Sequence, residues 1–202
     1  FINYGYYDKS MQNGIKVRIS LNDFEEHFQQ KRQMLRGTNP QREFLFKVNM
    51  GKTFVNVTNW ARFVHYTGPV EGLRTLEPTD LAFEKQILLN IKNLALSQLS
   101  SYPNSLKEDI ETLSKLKRGQ IVLSESDAQL IDIRLNEKKI FHHVVGIVTK
   151  FIAMMDLSSK EVLQLMASDS DVKEYQEYVQ RAILLNILAQ GRKEADEDNK
   201  EN

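Results

Sequence analysis

The sequence predicts a mainly α fold, in which a multi-helix lobe follows a few short β-strands near the N-terminus. Three observations lead to this prediction. Apolar and polar residues alternate with a period of two at residues 15–21, which is typical of a strand with one buried face. From Pro78 onward, apolar residues recur every three or four positions almost without interruption, as they do on amphipathic helices. A chain of 202 residues, 41% of them hydrophobic, can also enclose the sizeable core that such a lobe requires.

Composition and charge restrict the partners that the chain can have. Its 27 basic residues balance 27 acidic residues, so no overall field attracts it to nucleic acid or to an anionic membrane. We therefore expect neither as a direct partner, and the sequence does not indicate an oligomeric state. The absence of cysteine excludes disulfides, zinc ribbons and thiol nucleophiles. No apolar run reaches the ~18 residues of a membrane span, and we expect a cytoplasmic or nuclear protein.

The first third of the chain carries strand and turn signals. Besides residues 15–21, two short apolar runs at residues 44–48 and 53–57 are predicted to be strands. Residues 49–52 contain a Gly between these runs and predict a hairpin loop. Before them, residues 24–35 have the apolar spacing of an amphipathic helix that ends before a Gly and a Pro.

The remainder of the chain carries helix signals, each with its own start. A Pro-Thr-Asp sequence at residues 78–80 is a start signal for a helix with a wide apolar face. Three capping-box patterns follow, and they begin at Ser105, Ser126 and Ser158. The helix that starts at Ser126 is predicted to run to about residue 155.

The last predicted helix starts at about residue 171 and carries one apolar stripe. Its members stand at steps of three and four residues: Tyr175, Tyr178, Ala182, Leu185 and Ala189. Such a stripe is more often internal core than an interface, and we expect this helix to pack on the lobe. The acidic residues 194–202 that follow are predicted to be disordered.

Familiar catalytic motifs are missing from the sequence. It contains no Gly-rich phosphate loop, no Gly-x-Ser-x-Gly elbow and no His-Glu-x-x-His motif. Adjacent His142 and His143 would point about 100° apart on a helix, so they do not form an i, i+4 metal pair. The carboxylates cluster at helix starts, where the helix dipole favours negative charge. From the residues alone, the chain is a helical binding scaffold.

The order of its elements resembles one known family. Residues 1–8 (FINYGYYD), followed by a turn and the strand Val-Arg-Ile-Ser-Leu, resemble the closing segment of the SET domain in the Rubisco large-subunit methyltransferase-like family. In that family a Tyr-Gly-Phe pattern, an acidic residue and an alternating strand recur. Residues 83–88, 102–116 and 130–140 are similar to its helical substrate-binding domain. The resemblance covers about residues 1–155, and the order and spacing of the motifs carry it.

The resemblance implies a cofactor and a substrate site at the start of the chain. The family's SET domain binds S-adenosylmethionine and methylates a lysine, or in some members a histidine, of a protein substrate. Tyr4 matches the tyrosine that lines the channel for the target side chain, and Tyr6 matches the aromatic residue that stacks on the cofactor adenine. Gly5 lets the backbone pass close between them. Tyr6 departs from the family's Phe, and the upstream motif with the catalytic tyrosine is absent from these residues. The alternative for Tyr4, Tyr6 and Tyr7 is an apolar strand edge that packs on the first helix.

The resemblance divides the chain into three parts. Residues 1–20 would end a SET domain, so that the first strands complete a SET-type β-fold. Residues 21–157 would form the substrate-binding domain, and residues 158–202 a helical extension with the acidic tail. The expected function is docking of a protein substrate for S-adenosylmethionine-dependent methylation, with this chain alone inert. The second hypothesis is a non-enzymatic helical module that binds a partner protein.

Overall fold

Two short strands and a series of helices make up the part of the chain that the structure describes. This computed structural model describes residues 14–36, 38–74, 78 and 80–198. In chain order, the elements are β1 (Ile15–Ser20), α1 (Phe28–Met34), β2 (Gln41–Phe46), α2 (Gly51–His65), a 3₁₀ turn (Val70–Arg74), α3 (Leu81–Ser100), α4 (Leu106–Lys117), α5 (Glu125–Met154), α6 (Ser159–Ser168), α7 (Ser170–Glu174), α8 (Gln176–Val179), a π turn (Gln180–Leu184) and α9 (Leu185–Asp198). The mainly α prediction is confirmed.

One predicted strand is wrong. Residues 53–57 lie in helix α2, and the predicted loop at residues 49–52 contains the start of that helix. The β-branched residues of this run favour a strand in isolation. However, Phe54, Val57 and Ala61 fall on one face at helical spacing and are fully covered by the core. Burial of that face outweighs the local preference, because propensity is a weak bias that tertiary packing overrides.

The neighbouring elements differ from their predicted bounds for local reasons. Strand β2 begins three residues before the predicted run at residues 44–48. Helix α1 begins at Phe28 rather than at residue 24, because His27 has a left-handed backbone with φ 57°. Just upstream, the Asn22 side chain accepts a hydrogen bond from the Phe24 amide at 3.3 Å. A left-handed residue cannot continue a right-handed helix, so the helix starts after it.

Two of the three predicted capping boxes are confirmed. Ser105 and Ser158 each cap a helix reciprocally with a glutamate three residues later. The box predicted at Ser126 is wrong, since α5 is capped two residues earlier, by Ser124. There the Ser124 hydroxyl oxygen accepts a hydrogen bond from the Asp127 amide at 3.1 Å. Ser124 has the extended backbone that a capping residue needs, and an acidic residue stands at the third helical position.

The C-terminal helices belong to the same core as α2 and α5. The rings of Phe54 and Phe151 meet those of Tyr175 and Tyr178 with centroids 4.9–5.5 Å apart. Helix α9 continues to Asp198, into the segment predicted to be disordered, and residues 199–202 lie outside the described residues. The disorder predicted for those last residues stays a prediction.

The apolar stripe of the last predicted helix is core only in part. Tyr175, Tyr178 and Ala182 are buried, as expected, whereas Leu185 is 55% exposed. The π turn at Gln180–Leu184 contains Ala182 and ends directly before Leu185, and its hydrogen bonds span one residue more than those of an α-helix. The turn shifts the register, so that Ile183 takes a buried position and Leu185 turns outward.

A buried ion pair lies at the centre of the core. The Arg62 side chain, from α2, donates two hydrogen bonds to the Glu84 carboxylate of α3, at 2.7 and 2.8 Å. The Tyr178 hydroxyl donates a third hydrogen bond to the same carboxylate at 2.8 Å. Burial, and then the neighbouring Glu84, raise the pKa of Tyr178 well above its ordinary value, so its hydroxyl stays protonated and donates. The side chain of Asn59 accepts a further bond from Arg62 at 2.6 Å.

Two other buried cations are satisfied, one by a carboxylate and the other by backbone carbonyl oxygens. Lys138 of α5 pairs with Asp109 of α4, and its ammonium lies 5.1 Å from the centre of the Tyr102 ring. Lys31 of α1 donates to the carbonyl oxygens of Val64 and Tyr66, at 2.7 and 2.9 Å, where α2 ends. Burial lowers the pKa of Lys31. These contacts fix α4 on α5 and α1 on the end of α2.

Removing one partner of the central pair is expected to destabilise the protein strongly. Glu84→Ala leaves Arg62 buried without a countercharge, which costs about 3–5 kcal/mol in comparable sites. Lys85→Ala is the matched control, because its side chain is 44% exposed in a long 3.9 Å pair. The measurement is the free energy of unfolding in urea. Equal stability of the two variants would contradict the importance of the pair.

The corrected start of α5 can be tested with two neighbouring serines. Ser124→Ala removes the capping hydroxyl and is expected to lower the free energy of unfolding by about 1 kcal/mol. Ser126→Ala lies within the first helical turn and should change it by a few tenths at most, because Ala favours helix. Chemical denaturation of both variants decides between the two caps. A larger loss for Ser126→Ala would restore the start that the sequence predicts.

Candidate docking groove

The two strands form a small antiparallel sheet with one face on α2. Ile19 pairs with Arg42, Val17 with Phe44, and these side chains point to the same face. Trp60 of α2 lies under this face, where its indole nitrogen donates to the Ile19 carbonyl oxygen at 2.9 Å. The sheet is therefore held on α2 by a directional bond in addition to apolar packing.

An open groove of about 650 Å³ runs between β2 and α2. We call it the β2–α2 groove. On one side it is bounded by four consecutive residues of β2, and on the other by residues of α2 that stand three or four positions apart. Its lining comprises Leu35, Arg42, Glu43, Phe44, Leu45, Thr53, Asn56, Asn59, Trp60 and Phe63. This mixture of apolar and amide side chains is suited to contacts with a polypeptide.

Three side chains at one end of the groove form a stack. The Arg42 guanidinium lies 4.4 Å from the centre of the Trp60 ring, and this ring stacks on Phe63 with centroids 5.2 Å apart. Trp60 is only 4% exposed, so its position is fixed by the core. The Arg42 guanidinium thus lies at the surface against a ring that the core holds in place.

The opposite face of the sheet carries a compact charge cluster. The Glu43 carboxylate lies 3.0 Å from the Lys16 ammonium and 3.3 Å from the Arg18 side chain. Hydrogen bonds from Lys16 and from Arg18 lower the pKa of Glu43. Two cations thus share one carboxylate, and Arg42 on the other face adds a third positive charge. This end of the lobe is locally basic in a chain of zero net charge.

A second, smaller groove lies at the β1 side of the sheet. It has a volume of about 330 Å³, and its lining includes Arg18, Ser20, His65 and Asn90. Both long edges of the sheet therefore border open space in the described part of the chain. His65 pairs with Glu25 at 3.3 Å, and burial lowers the pKa of this imidazole.

The residues that the sequence assigns to a site are not placed by the structure. Tyr4, Gly5 and Tyr6 lie outside the described residues, and their roles stay predictions. Among residues 14–198 as far as they are described, no group of histidines and carboxylates could hold a metal ion. Of the histidines, His27 contacts the Gly68 carbonyl at 2.8 Å and His143 lies 3.4 Å from the Tyr175 hydroxyl. Within the described residues, none of the helices has an apolar stretch of the length that a membrane span requires.

Sequence reasoning missed the β2–α2 groove. The sequence does not predict its α2 wall, because residues 53–57 have the residue pattern of a strand. The helical spacing of Thr53, Asn56, Trp60 and Phe63 is the signal that could have revealed it. The β2 wall depends on the pairing with β1 across a long connection, which no local pattern encodes.

The fold and the groove define a helical binding lobe. The chain belongs to the Rubisco LSMT substrate-binding family, whose sequence model matches residues 22–141, more than half of the chain. No curated protein matches it. Among solved structures, it is similar to Rubisco LSMT bound to AdoMet, with 15% identity and a TM-score of 0.62. It is also similar to the SET domain of LSMT bound to methyl-lysine and AdoHcy, with 14% identity and a TM-score of 0.59.

These structures support the fold of the lobe. Each similarity covers 88% of this chain and 44% of the other, so the chain spans less than half the length of the structures it matches. The order of the sequence motifs predicts an LSMT-like substrate-binding region. This prediction is confirmed.

The arginine stack of the groove has a spectroscopic signature. Trp60 is the single tryptophan of this sequence, so its fluorescence reports on the groove. Arg42→Gln removes the cation that covers the indole ring, and we expect acrylamide to quench the emission more strongly. Arg32→Gln is the matched control, since Arg32 is an exposed arginine 5.9 Å from the Phe28 ring. Equal quenching in both variants would show that Arg42 does not cover Trp60 in solution.

Proposed function

We propose that this chain docks protein substrates for a SET-type methyltransferase that modifies a lysine or a histidine side chain. The match of residues 22–141 to the substrate-binding family carries this proposal. The similar structures support it, because they are described with AdoMet, AdoHcy, lysine and methyl-lysine. The open β2–α2 groove gives the lobe a surface that a protein substrate can contact.

The division of the chain follows from this function. Residues 1–20 end the catalytic SET domain, residues 21–157 form the substrate-binding domain, and residues 158–202 are an extension. The extension is docked: Tyr178 packs on Phe54 of α2 and donates to Glu84 of α3. This docking supports a stabilising role for the extension. The proposal places the protein in the cytoplasm or the nucleus.

The cofactor contacts proposed for this chain lie at Tyr4, Gly5 and Tyr6. Two aromatic rings on either side of a glycine are chemically suited to the two tasks: one ring can cover a purine, and the other can guide the stem of a lysine. S-adenosylmethionine, when bound, supplies the methyl group. These 202 residues contain no match to the family's catalytic-tyrosine motif, so this chain alone is inert in the proposal.

A non-enzymatic interaction module is the second candidate function. The observation that favours it is the groove itself, which lies wholly within the described lobe and needs no cofactor to bind a polypeptide. In that case partner binding would persist without any binding of S-adenosylmethionine.

The cofactor assignment is tested by titrating S-adenosylmethionine into the full-length polypeptide that carries this chain. Tyr6→Ala is expected to weaken binding by about 1–3 kcal/mol, the range observed when an aromatic ring that stacks on a base is removed. Tyr7→Ala, the adjacent residue, is the control and should bind like the wild type. Calorimetry provides the affinity. A folded polypeptide that binds no cofactor would exclude the methyltransferase proposal and leave the interaction module.

A further inference from the structure

We propose that the β2–α2 groove binds an extended segment of a partner protein, which adds a strand to the edge of β2 that faces away from β1, where no described strand pairs, and places an acidic side chain on Arg42. This inference rests on the proposed function in one respect: the partner protein is taken to be the substrate of the methyltransferase. It also assigns a role to Arg42, Asn56 and the backbone of β2, none of which the sequence singles out.

The backbone groups of successive β2 residues point alternately to β1 and away from it. The Leu21 amide donates to the Pro40 carbonyl at 2.9 Å, in the same register as the β1–β2 ladder. In antiparallel pairs, hydrogen-bonded and non-hydrogen-bonded positions alternate. The backbone groups of Arg42 and Phe44 therefore point to β1, and those of Glu43 and Leu45 point away from it. Glu43 and Leu45 both line the groove, and the ladder phase places their N–H and C=O groups on the edge of β2 that faces away from β1.

A free edge of this kind is suited to strand addition. The described sheet has two strands, and an edge strand presents unpaired donors and acceptors to any extended segment. Strand β2 has six residues and spans ~20 Å at 3.3 Å per residue, which is enough for a segment of similar length. Sheets of two strands are marginal by themselves, and a third strand would add ladder hydrogen bonds.

The α2 wall offers a second set of contacts. Asn56 is exposed on this wall, and its amide makes no hydrogen bond to another described residue. A primary amide can donate to and accept from one peptide group, so Asn56 can pair with the backbone of the incoming segment. Phe44 and Phe63 provide apolar surface on either side.

The positive charge of Arg42 favours a partner segment that carries an acidic residue. The Arg42 guanidinium is stacked on Trp60, and it forms no ion pair with any described carboxylate. The nearest carboxylate along β2, Glu43, lies on the opposite face with Lys16 and Arg18. A carboxylate on the inward face of an added strand would therefore meet an immobilised guanidinium, whose flat donor edge suits two-point binding.

The test uses the full-length polypeptide and three synthetic probes. The first is the octapeptide Val-Thr-Val-Thr-Asp-Thr-Val-Thr, which places valine and aspartate on one strand face. The second replaces Asp by Asn, and the third is the Asp peptide with alternate backbone amides methylated. We expect the Asp probe to bind about fivefold more tightly than the Asn probe, which is the upper end of the effect of an exposed ion pair. The methylated probe should not bind, because it lacks the amides that a strand must donate.

Hydrogen exchange shows where the probe lies. Fragments that cover β2 should gain protection at the Glu43 and Leu45 amides, whereas fragments that cover β1 should not. Arg42→Gln is expected to abolish the preference for Asp over Asn. Arg32→Gln, the matched arginine on α1, should keep it. If Arg42→Gln does not fold, Arg42→Lys retains the charge without the planar edge, and it should reduce the preference only in part.

The outcomes separate this inference from the proposed function. Equal binding of the Asp and Asn probes, protection on β1 instead of β2, or no binding because another segment of the polypeptide fills the groove would overturn the inference. If the same polypeptide still binds S-adenosylmethionine and methylates proteins, the proposed function stands alone. If the probe binds as expected but no cofactor does, strand docking stands and the methyltransferase role fails.

Discussion

The ion pair between Arg62 and Glu84 is the interaction on which the architecture of the lobe depends. A charge buried without a partner is strongly unfavourable, so the helices that carry these residues must meet at this point. Tyr178 completes the site from the C-terminal helices, with its hydroxyl on the same carboxylate. One carboxylate thus fixes α2, α3 and α8 relative to each other. Apolar packing alone would define their contact less uniquely, because apolar surfaces tolerate sliding.

The fixed orientation of α2 also determines the binding surface. The helix turns Phe54, Val57 and Ala61 into the core, and this leaves Thr53 and Asn56 on the groove side. Trp60 belongs to both environments, since it is nearly buried and yet forms part of the groove wall. Core packing therefore holds the Trp60 part of the groove wall in place. A preformed surface loses less conformational entropy when a partner binds, which favours affinity.

The parts of the fold that are encoded locally could be predicted from the sequence. Strand β1, helices α3, α4 and α6 and the caps at Ser105 and Ser158 all follow from periodicity and from residues a few positions apart. The start of α2 could not be predicted, because Thr53, Val55 and Val57 imitate a strand and only burial reverses their preference. The groove and the buried pair join residues that are distant in sequence. The order and spacing of the motifs predict the family. Composition and hydrophobic periodicity alone predict only a helical scaffold.

The covalent chain limits how far docking and chemistry can be separated. Nine Cα–Cα steps separate Tyr6 from Ile15, the first residue of β1, so their Cα atoms can lie at most ~32 Å apart at 3.6 Å per step. Ile15 pairs with Phe46, at the end of the strand that borders the groove. A partner segment laid along β2 would therefore hold its own flanking residues within reach of the proposed channel. Arg42 stands four residues from Phe46 on β2, which adds ~13 Å, so a target side chain about fifteen residues from the docked acidic residue could span the full distance in an extended chain. In this arrangement, docking would restrict which side chains of the partner are presented, and specificity would arise from the sheet as well as from the channel.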